Sequence, residues 1–154
     1  MHPIHWLSSL LIVLLAGACA GGPDRISGQP PQMDIRLLQQ TEQEMLLDID
    51  LRNVNDQPLT LGKLEFTLEH DQRLLARFDQ ATDVEITSRG RESISLNAPL
   101  APVAQEVLTE LAEGTRTSLP WKIRGRVIDQ TGRTWPVETS GHLYPVPGRA
   151  GQFR

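Results

Sequence analysis

A few groups of side chains in this sequence are of types that carry chemistry. Asp48 and Asp50 stand two residues apart in DIDL, a spacing that places two carboxylates on one strand face and could form a paired acid and base. Directly after them, in DIDLRNVNDQPLTL, the residues Asn53, Asn55 and Asp56 gather small polar groups where an apolar alternation ends. Such a cluster serves either as a binding site or as a turn whose side chains bond their own backbone. His70 in LEHDQR and His142 in SGHLY are the histidines beyond the first few residues, and Lys122, Arg124 and Arg126 alternate in KIRGR. Cys19 is the single cysteine.

Each group has a plain structural reading beside the chemical one. Asp48 and Asp50 sit next to Arg52 and read as a solvated row on an exposed strand face. His70 reads as part of an exposed turn, and His142 as a residue near a strand end. The KIRGR cations could meet anionic lipid headgroups or an acidic partner; the commoner outcome is cross-strand pairing with carboxylates such as Glu138. The sequence contains no HExxH, zinc-type cysteine spacing, GxSxG or phosphate-loop signature. No catalytic, cofactor-binding or metal-ligating residue is therefore assigned, no cofactor is implied, and the expectation is a non-enzymatic protein.

Net charge is −4 at pH 7 and 22% of residues are charged, with acids and bases alternating along the chain. Phosphate neutralisation needs a basic face, so no nucleic-acid partner is expected. At 154 residues the chain can bury one domain well.

After MHPIHW, the stretch LSSLLIVLLAGA is uncharged and apolar, the length of a secretion-signal core and short for a permanent span. Its end, LLAGAC, resembles the lipobox of bacterial lipoproteins, with Gly17 and Ala18 before the obligatory cysteine. The resemblance implies a signal peptide over 1–18 and lipidation of Cys19 by a diacylglyceryl thioether and an N-terminal acyl chain such as palmitate. A single cysteine can make no internal disulfide after export, which agrees with such a role. The resemblance implies attachment to the membrane through those acyl chains. Ala20, Gly21 and Gly22 follow, with no aspartate beside the cysteine, as in lipoproteins sorted to the outer membrane. The expected location is the cell envelope, on the periplasmic face of the outer membrane. Residues 19–31, ending GGPDRISGQPP, have almost nothing to bury and read as the acylated cysteine and a flexible tether.

From Met33 the apolar period becomes two. Runs at Ile35–Leu38, Met45–Leu51, Leu64–Leu68, Leu75–Phe78, Val84–Ile86, Ile94–Leu96, Trp121–Val127 and Trp135–Leu143 make about seven or eight short strands. Gly132 after Asp129, and Gly90 between two arginines, mark tight turns. Only PVAQEVLTELAEG changes period: Val103, Val107, Leu108 and Leu111 fall at helical spacing, with Gly114 where a C-cap would sit. The fold class is mostly β, an antiparallel sandwich with one helix at about 102–113.

The segment LDIDLRNVNDQPLTLGKLEFTLEHD resembles the hallmark of the late embryogenesis abundant type 2 family, the water stress and hypersensitive response (WHy) domain. Asn53 and Asn55 occupy that motif's asparagine positions and Pro58 its following proline, with Val54 in place of the usual middle proline. The later SLPWKIRGRVID and TWPVETSGHLYP resemble the family's last two strands. This likeness covers 32–145 and implies a fibronectin-III or immunoglobulin-like sandwich, with Asn53, Asn55 and Pro58 in structural roles. It further implies a stress-response protein, protective in desiccation or envelope stress, or a binding protein. The alternative is an interaction module, an accessory subunit of an outer-membrane or cell-wall assembly with an unidentified envelope partner. Residues 146–154, VPGRAGQFR, read as a frayed tail, or as an extended peptide that docks on a partner.

Overall fold

The alternation of MLLDIDL dictates a strand buried on one face, and Met45, Leu47, Ile49 and Leu51 are all fully buried. The computed structural model describes residues 25–154; the leader and Cys19 lie outside the described residues. Within them the strands are β1 (Gln32–Gln40), β2 (Glu44–Arg52), β3 (Leu59–His70), β4 (Arg73–Ile86), β5 (Arg91–Pro99), β6 (Leu119–Asp129), β7 (Thr134–Leu143) and β8 (Gln152–Phe153). One helix, α1 (Pro102–Ala112), stands between β5 and β6.

The strands form two antiparallel four-stranded sheets, in the orders β5-β2-β1-β8 and β4-β3-β6-β7. Their inner faces meet in one core that includes Leu64, Leu68, Phe78, Ile123 and Val127, the arrangement of a β-sandwich. By the register, β1, β3, β5 and β7 begin at one end of the sandwich, where β2, β4 and β6 finish. That end is called proximal below, and the opposite end distal.

The two apolar runs at Leu75–Phe78 and Val84–Ile86 belong to one long strand, β4, paired with β3 throughout. A bulge in β1 sets the extra residue Arg36 between Ile35 and Leu37, which explains why Ile35 and Leu38 can both face inward across a three-residue gap. Helix α1 packs Ala104, Val107, Leu108 and Leu111 into the core, and Gly114 follows it at φ 78°. Gly132, also at positive φ, closes the β6–β7 hairpin as the turn chemistry requires.

The C-terminal residues are neither frayed nor free to dock elsewhere. Phe153 is fully buried and pairs with Leu38 of β1 on one side and Pro145, just past β7, on the other. Tyr144 and Arg154 exchange both backbone hydrogen bonds, and Gln40 N–H donates to Gly151 O at 2.8 Å. This terminal strap joins the last strand of one sheet to the first strand of the other, because burying a phenylalanine ring repays the ordering of a short segment.

Candidate functional site

The polar corner after β2 is built around Asn53, which is fully buried. Where β2 leaves the sheet, Asn53 N–H donates to Gly90 O at 3.0 Å. Its side-chain Nδ2 faces three carbonyls, Gln57 O at 2.7 Å, Thr87 O at 3.1 Å and Ile86 O at 3.3 Å. Its Oδ1 accepts from Asn55 N and Asn55 Nδ2, both at 3.0 Å. One amide thus holds the β2–β3 loop and the β4–β5 turn together, satisfying carbonyls that the corner would otherwise leave buried and unpaired.

Asn55 carries the network outward. It makes a two-way bond with the backbone of Gln29, donating from Nδ2 to Gln29 O at 2.9 Å and accepting at Oδ1 from Gln29 N at 2.8 Å. Asp56 does the same for Ile26: Oδ2 accepts from Ile26 N at 2.7 Å, and Asp56 N donates to Ile26 O at 2.8 Å. Arg89 pairs with Asp56 Oδ1 at 2.5 Å. Its guanidinium bond, together with the Ile26 N–H, holds the Asp56 carboxyl below the usual aspartate range. Arg133 stacks 4.9 Å over Trp135 and donates to Gly28 O at 3.2 Å. The arrangement is a clasp: residues 25–31, expected as loose tether, are fastened to the proximal end of the sandwich. Pro58 stands at the last position before β3, where a missing N–H costs no ladder bond.

The sequence reading foresaw that this cluster bonds backbone, and the Asn53–Asn55 bond is local in that sense. It missed Ile26, Gln29, Arg89 and Arg133, whose bonds span 26 to 105 residues. The available signal was Ile26, an apolar residue within an otherwise polar, glycine- and proline-rich stretch.

The other candidates are dispersed. Asp48 and Asp50 do share the outer face of β2, but each is paired with its neighbours there. Ser95 and Arg36 bond Asp48 at 2.5 and 3.0 Å, and Ser93 bonds Asp50 at 2.5 Å. On the outer face of the other sheet Lys122 meets Glu138 at 2.5 Å, Arg124 reaches Glu69 and Glu138 at 3.3 and 3.7 Å, and Arg126 pairs with Glu65. The cross-strand pairing expected of KIRGR is therefore present, and its cations are neutralised in place. His142 is exposed at the end of β7, 6.4 Å from the Tyr144 ring.

His70 corrects the expectation of an exposed turn. It is 4% exposed, the last residue of β3 on the inward-facing parity, and the turn proper is Asp71 and Gln72, both at positive φ. Its Nδ1–H donates to Pro120 O at 2.7 Å, and Nε2 lies 3.2 Å from the Asp71 carboxylate. The imidazole locks the β3–β4 turn to the start of β6. Among the described residues, no cluster of three or more His, Cys, Asp or Glu has metal-binding geometry.

No protein-family model matches the chain, and no curated protein does. Among solved structures it is similar to a protein of Arabidopsis thaliana in solution, at 11% identity and a TM-score of 0.49, covering 81% of this chain and 91% of that one. A protein described as late embryogenesis abundant aligns at 15% identity and a TM-score of 0.43, over 88% of this chain and 81% of that one. A crystal structure from Archaeoglobus fulgidus aligns at 12% identity and a TM-score of 0.44, over 75% and 96% of the two chains.

Proposed function

We propose that this chain is a non-enzymatic, lipid-anchored periplasmic protein of the late embryogenesis abundant type 2 kind, which protects or binds envelope components under stress. The observation that carries the reading is the leader LSSLLIVLLAGAC, whose last residue is the chain's single cysteine. Two or three acyl chains on one residue hold a protein on a membrane durably, whereas one would exchange. The clasp supports the structural role given to Asn53, Asn55 and Pro58, since the asparagines use their bonding capacity inside the fold.

Labelled palmitate supplied to cells is expected on the protein and absent from Cys19→Ala; label retained in that variant overturns the anchor. Survival of a deletion strain after drying tests protection, with reduced survival expected.

A second reading, an interaction module of an envelope assembly, is favoured by the outer edge of β7, which pairs with no further strand among the described residues. Pro120 and Pro136 lack N–H groups and occupy register positions of equal parity, so Glu138 and Ser140 of β7 direct their backbone groups away from β6. Glu138 borders an open groove of about 470 Å³ whose lining includes Met33, Val54 and Val137. Unaltered drying survival with stoichiometric recovery of one envelope protein after crosslinking would select this reading over protection.

A further inference from the structure

The geometry points to a fixed orientation of the sandwich on the membrane, with its proximal end as the lipid-facing surface. This rests on the reading that Cys19 is the anchor point. The partner is an anionic lipid headgroup layer.

The argument begins with reach. An unfastened chain from Cys19 to Gln32 could extend about 45 Å at roughly 3.3–3.6 Å per residue, slightly more than the sandwich is long. The 12 residues of β3 give a length of about 40 Å. On such a leash the domain could turn end for end. The clasp removes that freedom, because among the described residues the first fastened one is Ile26, bonded in both directions to Asp56. From Cys19 to Ile26 the chain reaches at most about 25 Å. That is too short to carry the proximal end to the far side of the domain, so the distal end cannot face the lipid alone.

Charge and exposure favour the same pose. Among the described residues, the connections at the proximal end carry Arg25, Arg89 and Arg133 against the single acid Asp56. Ile26 lies beside them with 44% of its surface exposed, an apolar side chain at the position nearest the anchor. In the distal connections and α1 the balance reverses, with Glu42, Asp71, Glu106, Glu110 and Glu113 against Arg116, Arg149 and Arg154. An anionic leaflet attracts the first end and repels the second.

The test couples the chain from Cys19 to Arg154 through the Cys19 thiol to maleimide lipid in vesicles of phosphatidylglycerol and phosphatidylethanolamine. Coupling is chemical, so the result is independent of whether cells acylate Cys19, which the palmitate experiment decides. A fluorophore is placed by azide chemistry at Thr131 in the proximal β6–β7 turn or at Gln72 in the distal β3–β4 turn. Energy transfer to acceptor lipids is expected to be several-fold higher from Thr131. Asp56→Ala combined with Asn55→Ala opens the clasp and should narrow the gap between the two efficiencies. Inserting twelve Gly-Ser residues between Gly22 and Pro23 lengthens the leash without touching the sandwich and should do the same, even if the clasp variant fails to fold. Equal transfer from both positions in the unaltered chain overturns the proposal, as does a difference that the insertion leaves undiminished.

Discussion

Replacing Asn53 by alanine removes the amide that joins two loops and the side-chain acceptor of Asn55. The carbonyls of Gln57, Ile86 and Thr87 lose a donor, and Asn55 loses the acceptor of its N–H and of one Nδ2 proton. A buried polar group left without a partner costs about 1–3 kcal/mol, and some of these groups can regain water at the loop surface, so the expected loss is about 3–5 kcal/mol. That is a large share of the roughly 5–15 kcal/mol that hold a domain folded. Asn53→Asp separates the contributions further, since it keeps the shape and one acceptor but turns a charged oxygen toward three carbonyls. Its carboxyl would have a folded pKa above the unfolded value, so the penalty should be greatest at neutral pH and shrink as pH falls through the folded pKa. Urea unfolding followed by the fluorescence of buried Trp121 and Trp135 measures both variants at pH 7 and pH 5. A loss below about 1 kcal/mol in Asn53→Ala would refute the reasoning, and so would an Asn53→Asp midpoint that does not rise at pH 5 relative to the unaltered protein.

Three further outcomes are expected. Phe153→Ala should destabilise by about 3–5 kcal/mol, read from the same unfolding curves, because the ring is fully buried beneath the terminal strap. Gly125→Ala places a Cβ 2.1 Å from Glu65 O and 2.5 Å from Phe66 Cα, so β3 and β6 must separate; calorimetry should show a cost of at least about 1–3 kcal/mol. Acid should weaken the fold through carboxyls whose folded pKa is depressed: Asp56 by Arg89, Glu65 by Lys63 and Arg126, and Glu138 by Lys122. Their contribution is present above the ordinary value of about 4 and is lost as pH falls from there through the lowered folded values. Asp56→Asn should flatten that acid slope in urea midpoints taken between pH 5 and pH 2, and an unchanged slope would remove Asp56 from the account.

What the sequence disclosed followed from periodicity. The β2 pattern is local and binary, so Met45 to Leu51 could be assigned to the core without knowing what covers them. The helix was legible for the same reason, as was Gly132, whose turn needs positive φ. Cross-strand pairing of Lys122 and Arg124 with Glu138 could be foreseen because adjacent hairpin strands fix their own register. Long-range features were hidden. β8 is a two-residue strand after a proline- and glycine-rich loop, with no period to detect. His70 looked like a turn residue from its polar neighbours, yet inward parity continues through Leu64, Phe66 and Leu68 to its ring. Asn53 and Asn55 stood out in the sequence as a polar cluster, but half of the clasp comes from residues 25–31, whose composition alone resembles a linker.

The terminal strap also governs when the protein can fold. Of the described strands β1 leaves the ribosome first and β8 last, and their bonded residues Gln39 and Gln152 are separated by 113 positions. Pairings of that separation are slow to form, because the closure of the intervening chain must be met before any contact rewards it. The second sheet is assembled from β3, β4, β6 and β7, again with partners far apart for β3 and β6. A nascent chain therefore lacks its closing strand until Gln152 and Phe153 have been made, and stays unfolded for longer than a domain of local contacts would. On the export proposed above, that delay keeps the polypeptide in the form a translocation channel can thread.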